Sequence, residues 1–384
     1  MIYLDHAATT PLDARVLEAM LPYLREHYGN PSSAHAPGRR VRAAIEHARG
    51  QVAALIGAAP AEIIFTSGGT ESDNAAVRIG CALARETQRE IITAPAEHHA
   101  VLAACEAQEP RGFTLRRLPV NEAAVPDVDT LERVAGPETA LCSLMHVNNE
   151  TGGILPLARC AELLRSRGVL FHTDAVQSAG KLPLNVRELG VDLLSCSAHK
   201  IHGPKGVGAL YVRGGLRIPG LQLGGGQERG RRGGTENAAG IVGFGAAAEF
   251  AIAEMQTRMQ RWTQFRHDAE GMLTEAFPAL RCNGRGDEVQ SNILSVTFPT
   301  NVYPLDGGAL LMNCDMAGLA VSGGSACTAG SIEPSHVIRA IGHADAEHAA
   351  TVRISFGAET TVREVREGME ILIREIRNMR AREN

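Results

Sequence analysis

From about residue 60 to residue 213 the chain repeats one pattern. Short β-rich runs, EIIFTS, EIITAP, FTLRRLPV, ALCSLMHV, VLFHTDAV, VDLLSCSA and GVGALYVR, alternate with stretches whose apolar residues recur every three or four positions. Strands alternating with helices predict crossover connections and a mostly parallel sheet covered on both faces. A long apolar-periodic segment over 238–276 reads as a helix leading into a second unit. That unit holds the run NILSVTF, a helix near 304–313, the loop AVSGGSACTAGS, the strand TVRISFG and a last helix. In the last helix Val362, Val365, Met369, Leu372, Ile376 and Met379 step by three and four, which predicts one apolar stripe packed on the smaller unit.

Length fits this division. At 384 residues with 44% hydrophobic content the chain buries a sizeable core and exceeds one domain of common size. The net charge of -5 gives no footprint for nonspecific nucleic-acid binding, so direct DNA or RNA contact is not expected. The start MIYLDHAATT lacks a basic segment followed by an apolar run, and no later stretch approaches the roughly 20 uncharged apolar residues that span a bilayer. The expectation is a cytoplasmic protein that meets no membrane. Eight cysteines, at 81, 105, 142, 160, 196, 282, 314 and 327, show no Cys-x-x-Cys pair and no Cys/His cluster. No metal site is expected, and most of the thiols read as reduced core residues.

The charge balance hides a sharper signal. Of the 38 basic residues only three are lysines, Lys181, Lys200 and Lys205. Where arginine serves nearly everywhere, a retained amine suggests chemistry that a guanidinium cannot do, because a buried ammonium can lose its proton. Lys181 and Lys205 read as surface lysines, Lys205 lying in the turn-like GPKG. Lys200 directly follows the run LLSCSAH at a strand end, where ligands of such sheets sit.

Other polar residues fall at the same kind of place: Gly69 and Thr70, His98, Asn149 and Asp174. In FTSGGTESDN a strand is followed by small residues and a helical pattern, so backbone amides and a helix N-terminus face any anion bound there. Asp174 follows an apolar strand, with Gln177 three residues later and Lys200 past the next strand. Phosphate cup, carboxylate and amine, in that order, suit pyridoxal 5′-phosphate: the phosphate is held, the ring nitrogen stays protonated and the aldehyde is captured by the amine.

Across nearly the whole chain, YLDHAATTP, YGNPSSAH, FTSGGTESDN, EHHAV, MHVNNETG, HTDAVQSAGKLP, SAHKIHGPKGVGALYVR, RRGGTEN and SGGSACTAGSIEPSHVIRAIG together resemble the NifS/IscS-type cysteine desulfurases, the class V branch of fold-type I pyridoxal phosphate enzymes. The resemblance implies an α/β fold-type I transferase. Its large domain, residues 13–260, carries a mostly parallel seven-stranded sheet; residues 1–12 and 261–384 form a smaller α+β domain with the catalytic cysteine loop. It also implies that Lys200 binds the cofactor aldehyde, Asp174 pairs with the ring nitrogen, and Gln177 and Asn149 lie near the ring hydroxyl. His98, the first histidine of EHHAV, stacks on the ring and moves protons. Gly69, Thr70, Ser197 and His199 hold the phosphate with Thr235 of the other subunit of a homodimer, and Arg353 clamps the substrate carboxylate. Cys327, among small residues, takes sulfur from L-cysteine as a persulfide, leaving alanine, and passes it to a protein acceptor in iron–sulfur assembly or in tRNA or DNA thiolation. Alternatives are another class V enzyme, a selenocysteine lyase or an aminotransferase, and, from another class, a sulfur-relay scaffold with little turnover.

Overall fold

The computed structural model describes residues 1–285, 288–323, 335–342 and 349–383. In chain order the elements are β1 (Ile2–Tyr3), α1 (Ala14–Arg25), α2 (Ala36–Leu55), β2 (Ile63–Thr66), α3 (Gly69–Leu83), β3 (Glu90–Thr93), α4 (His99–Glu106), β4 (Thr114–Arg117), α5 (Val128–Val134), β5 (Thr139–Ser143), α6 (Leu157–Ser166), β6 (Leu170–Asp174), α7 (Val186–Leu189), β7 (Leu193–Ser197) and β8 (Gly208–Val212). There follow α8 (Ala238–Ala276), β9 (Arg281–Cys282), β10 (Ile293–Phe298), α9 (Gly307–Met316), β11 (Leu319–Ala320), α10 (His336–Ala340), β12 (Ala350–Ser355) and α11 (Val362–Glu383).

Seven strands form one sheet in the order β2-β8-β7-β6-β5-β3-β4. All seven β-rich runs belong to it. The pairs from β7 through β4 are parallel, whereas β8 is antiparallel to both β7 and β2. The reason is the short connection after Ser197: ten residues, 198–207, return the chain as a hairpin and leave no room for a helical crossover. Strands β5, β7 and β8 are buried along their whole length, and β6 is buried from its second residue, Phe171, to its end. Helices α1, α2 and α8 pack on one another to cover one face, with Val41, Ile45, Val52, Phe244, Ala248 and Ala251 in the shared core.

Helix α8 is long and apolar enough in its first half to meet a length-and-composition test for a membrane span. That half is occupied otherwise. Ala239, Ile241, Phe244, Ala247, Ala248 and Ala251 are buried in the core. Asn237 starts the helix, its side chain accepting the Gly240 N–H. The second half enters another cluster, with Trp262, Phe265, Ala269 and Leu273 packed with residues of β10, β12 and α11. Residue 260, the expected domain boundary, thus lies inside a continuous helix.

The second unit is the antiparallel sheet β12-β10-β9, flanked by α9 and α11, with β1 paired to β11 beside it. The helix expected near 304–313 is displaced to Gly307–Met316, because Asp306 caps it by accepting the Ala309 N–H at 2.8 Å. On α11 the stripe Val365, Met369, Leu372 and Ile376 is buried as expected, but Val362, at the first turn, is exposed. The N-terminal segment joins the two units: Ser355 donates to Leu4 O at 2.7 Å and Ala7 donates to Ser355 Oγ at 2.9 Å. This brings Ala7 and Ala8 to the carboxyl end of the large sheet.

Candidate active site

A cavity of about 260 Å³ lies at that end. Its walls come from several crossovers at once, as the parallel sheet dictates. β6 delivers Asp174 and β7 delivers Ser197, followed by one turn that carries His199 and Lys200. The β2–α3 junction brings Gly69 and Thr70, the first residues of a 15-residue helix whose N–H groups open toward the cavity. Gly69 is needed sterically, since a Cβ there would come within 2.8 Å of Val176 Cγ2. His98 caps α4, its Nδ1 accepting the Ala100 N–H at 3.1 Å. Asn149, Gln177 and Arg353 complete the set.

Eleven of the expected residues are therefore accounted for, ten on this cavity and one apart from it. Thr235 lines a separate hollow with Glu228 and Arg232. Cys327 lies outside the described residues. His98 and His99 both reach the cavity wall; His98 is the more buried, while His99 packs against His336 with ring centroids 4.4 Å apart.

Lys200 Nζ donates to Ala7 O at 2.6 Å and to Ala8 O at 2.8 Å. Arg353 is buried; its guanidinium donates to Asn149 O and to Asp5 Oδ1, both at 2.7 Å. Asp174 Oδ1 accepts the Val176 N–H at 2.8 Å. Behind Asp174 stands a second buried carboxyl, Asp73, with Oδ1 3.7 Å from His172 Nε2. Burial pushes both carboxyls above the ordinary range, and the charge of Asp174 raises Asp73 further, while the Val176 amide and Lys200 draw Asp174 back. Burial, then the nearby Lys200, brings His98 down to about 4, so its imidazole is neutral near pH 7. His199 falls to about 4 for the same two reasons.

One expectation is overturned. Lys181 is not a surface lysine: it is 4% exposed, and its Nζ donates to Gln177 Oε1 at 2.9 Å. The Gly180 backbone, at φ +74, turns the chain inward, and a Cβ there would come within 2.8 Å of Ile201 Cγ2. Lys205 is exposed, as expected. The structure also adds residues that the sequence reading passed over. Glu97 is buried and accepts the Met145 N–H at 2.8 Å, and Glu150, at the cavity wall, accepts from Ser335 Oγ at 2.5 Å. Burial raises both carboxyls. Glu97 precedes a helix and Glu150 follows two asparagines, so each reads locally as a cap or turn residue; only the fold buries them. Among the described residues, no group of three His, Cys, Asp or Glu side chains is placed to hold a metal ion.

With this geometry in view, comparison with known proteins is specific. Residues 2–367 match the model of the aminotransferase class-V family. The chain is 44% identical over 381 residues to a protein of Trichormus azollae named cysteine desulfurase, covering 99% of this chain and 94% of that one. Among solved structures it resembles a NifS-like protein with TM-score 0.89 and 36% identity, covering 97% of this chain and 98% of the other. It also resembles SspA, solved in complex with cysteine, with TM-score 0.80 and 36% identity over 94% of this chain and all of that one. The chain belongs to the aminotransferase class-V family and has the fold-type I architecture of its pyridoxal phosphate enzymes.

The cavity suits such a cofactor. Asn149 Oδ1 and Asp73 Oδ1 are buried at its wall without a hydrogen-bond partner among the described residues, and a buried polar atom of that kind calls for a ligand group. A helix N-terminus, a carboxylate and an amine line the same space.

Proposed function

We propose that this chain is a pyridoxal 5′-phosphate-dependent cysteine desulfurase that converts L-cysteine to L-alanine and carries the sulfur away on Cys327. The observation that supports this most is the convergence of Lys200, Asp174 and the α3 N-terminus on one cavity, in a chain 44% identical to a protein named cysteine desulfurase. SspA, with the same fold, is described with cysteine bound, which favours the same substrate class here.

When bound, the cofactor supplies an electron sink for the substrate's α-carbon. In this reading Gly69, Thr70, Ser197 and His199 hold its phosphate, Asp174 keeps its ring nitrogen protonated, Asn149 and Gln177 face its hydroxyl, His98 covers the ring, and Lys200 Nζ binds its aldehyde. Asp5 and the Asn149 carbonyl hold the Arg353 guanidinium, which meets the substrate carboxylate as a fork. His98 Nδ1 accepts from the Ala100 amide, so in this reading Nε2 is the atom that exchanges a proton. Lys200 Nζ and His98 Nε2 then move protons at the substrate's α-carbon and sulfur.

Cys327 attacks the substrate sulfur: an S–S bond forms, the carbon–sulfur bond breaks and alanine leaves after protonation. The other seven cysteines support this assignment, because burial pushes every one of their thiols up, Cys81 to about 11 and Cys160, Cys196, Cys282 and Cys314 to about 12. A homodimer in which Thr235 reaches the partner's phosphate site agrees with its place on a separate hollow of its own chain, and with the exposure of Tyr28 and Leu223 at 90% each. The unit of residues 13–260 then supplies cofactor binding and the rest supplies Arg353 and Cys327. The sulfur acceptor is a protein.

The deciding experiment is Cys327→Ser. The variant should keep the visible absorbance of the loaded enzyme and lose alanine and sulfide formation from L-cysteine; undiminished alanine would make the enzyme a lyase that needs no thiol.

A further inference from the structure

The amine of Lys181 lies behind the cavity in surroundings that do not favour it. No carboxylate pairs with it among the described residues. The charged and titratable groups that face it are Lys200, Arg353, His6, His199 and His202, with Arg258 on the same small hollow, all of them cationic or neutral. Burial first, then Lys200 and Arg353, brings Lys181 down to about 7.

What the amine does is visible one residue away. Gln177 Oε1 accepts from Lys181 Nζ at 2.9 Å, and Gln177 Nε2 donates to Ala7 O at 2.8 Å. That carbonyl oxygen also accepts Lys200 Nζ at 2.6 Å. A carbonyl only accepts, and an ammonium only donates. The two neighbours therefore leave one orientation of the carboxamide. Reversed, Oε1 would face the Ala7 oxygen and the NH₂ group would face an N–H donor.

We infer that Lys181 is a positioning residue of the active site, orienting the Gln177 carboxamide so that N–H rather than C=O is offered at the cavity. The inference rests on the functional reading above, in which Gln177 meets the ring hydroxyl. A donor there stabilises a phenolate oxygen, most of all once the neighbouring proton has left; an acceptor there repels it. Through the shared Ala7 carbonyl the same chain of contacts also holds Lys200.

The test is a pH titration of the visible absorbance of the enzyme loaded with pyridoxal 5′-phosphate. Lys181→Met keeps the length of the stem without an N–H, and its midpoint should rise by about one pH unit, since losing a donor and a cation both favour the protonated chromophore. Gln177→Glu removes the Nε2 donor yet leaves Lys181 a partner; it should shift the midpoint the same way and decides the matter if Lys181→Met does not fold. Lys181→Arg should recover at least part of the shift. In Lys181→Met, kcat/KM for L-cysteine should fall roughly tenfold. A wild-type protein that binds no visible-absorbing cofactor would end the functional reading itself. A wild type that titrates normally, with Lys181→Met and Gln177→Glu midpoints coinciding with it, would overturn this inference alone.

Discussion

The two sheets serve the cavity in different ways. The parallel strands β5 and β7 are buried from end to end and β6 from Phe171 onward, so their side chains carry packing, and the polar groups of the cavity begin where they stop, at Asp174, Ser197 and Lys200. In the antiparallel sheet a functional residue sits within a strand: Val352 and Ile354 of β12 face the apolar cluster, and Arg353 between them reaches the cavity. The difference teaches that the large sheet brings polar groups to the cavity at its strand ends, whereas the smaller sheet brings one from midway along a strand that is buried throughout. In the proposed function it also separates tasks, with cofactor chemistry assigned to the first sheet and substrate grip to the second.

The largest effect should fall on the parallel-sheet side. Lys200→Ala should lose the visible absorbance of the loaded enzyme and at least about 10³-fold in alanine formation, because no other amine can take the same position. Lys181 and Lys205 do not substitute for it. Asp174→Asn should keep the fold but lower kcat by about 100-fold, since a neutral amide no longer holds the ring nitrogen's proton. Alanine formation under single turnover measures both.

Acid should distinguish the two sides through stability. Burial lowers His6 and His172 to about 3 and His98, His146, His199 and His202 to about 4. The unfolded chain protonates these groups near 6.5 while the native chain does not, so they favour the native state above that pH and that advantage is lost as pH falls toward 4. The raised carboxyls Asp73, Glu97, Glu150 and Asp174 act in the opposite sense, with stability present at low pH and lost as pH rises through their native values. The lowered histidines therefore cost native stability as pH falls below 6.5, and the raised carboxyls work against that loss. Urea midpoints of the cofactor-free protein at pH 7 and 5.5 check this, and opening should begin around the large sheet, where five of the six histidines lie.

The smallest effect belongs to the antiparallel side. Arg353→Lys retains the charge but loses the fork, so KM for L-cysteine should rise about tenfold with kcat less affected. A loss confined to kcat would erase the division of labour between the sheets.

Residues at the ends of apolar runs were legible because a run names its own end: Asp174 after LFHT, Lys200 after LLSCSAH, Gly69 after IIFTSG. Lys181 was not, because GKLP has the local look of a solvated turn, and it is Ile201 and Ala251 packed against Gly180 that enclose it. Glu97 and Asp73 were missed for the same cause. The direction of β8 was likewise hidden, since a strand's apolar pattern is the same read from either end.

By itself, then, the amino-acid order determined the class of fold, the nature of the cofactor chemistry and the residues at strand ends, because periodicity, small-residue turns and a rare amine are local properties. Tertiary structure alone decided which polar groups are desolvated and which of them meet. Burial and the pairing of Lys181 with Gln177, or of Asp73 with Asp174, depend on elements brought together from distant parts of the chain, and a desolvated charge owes its behaviour to all of its neighbours at once.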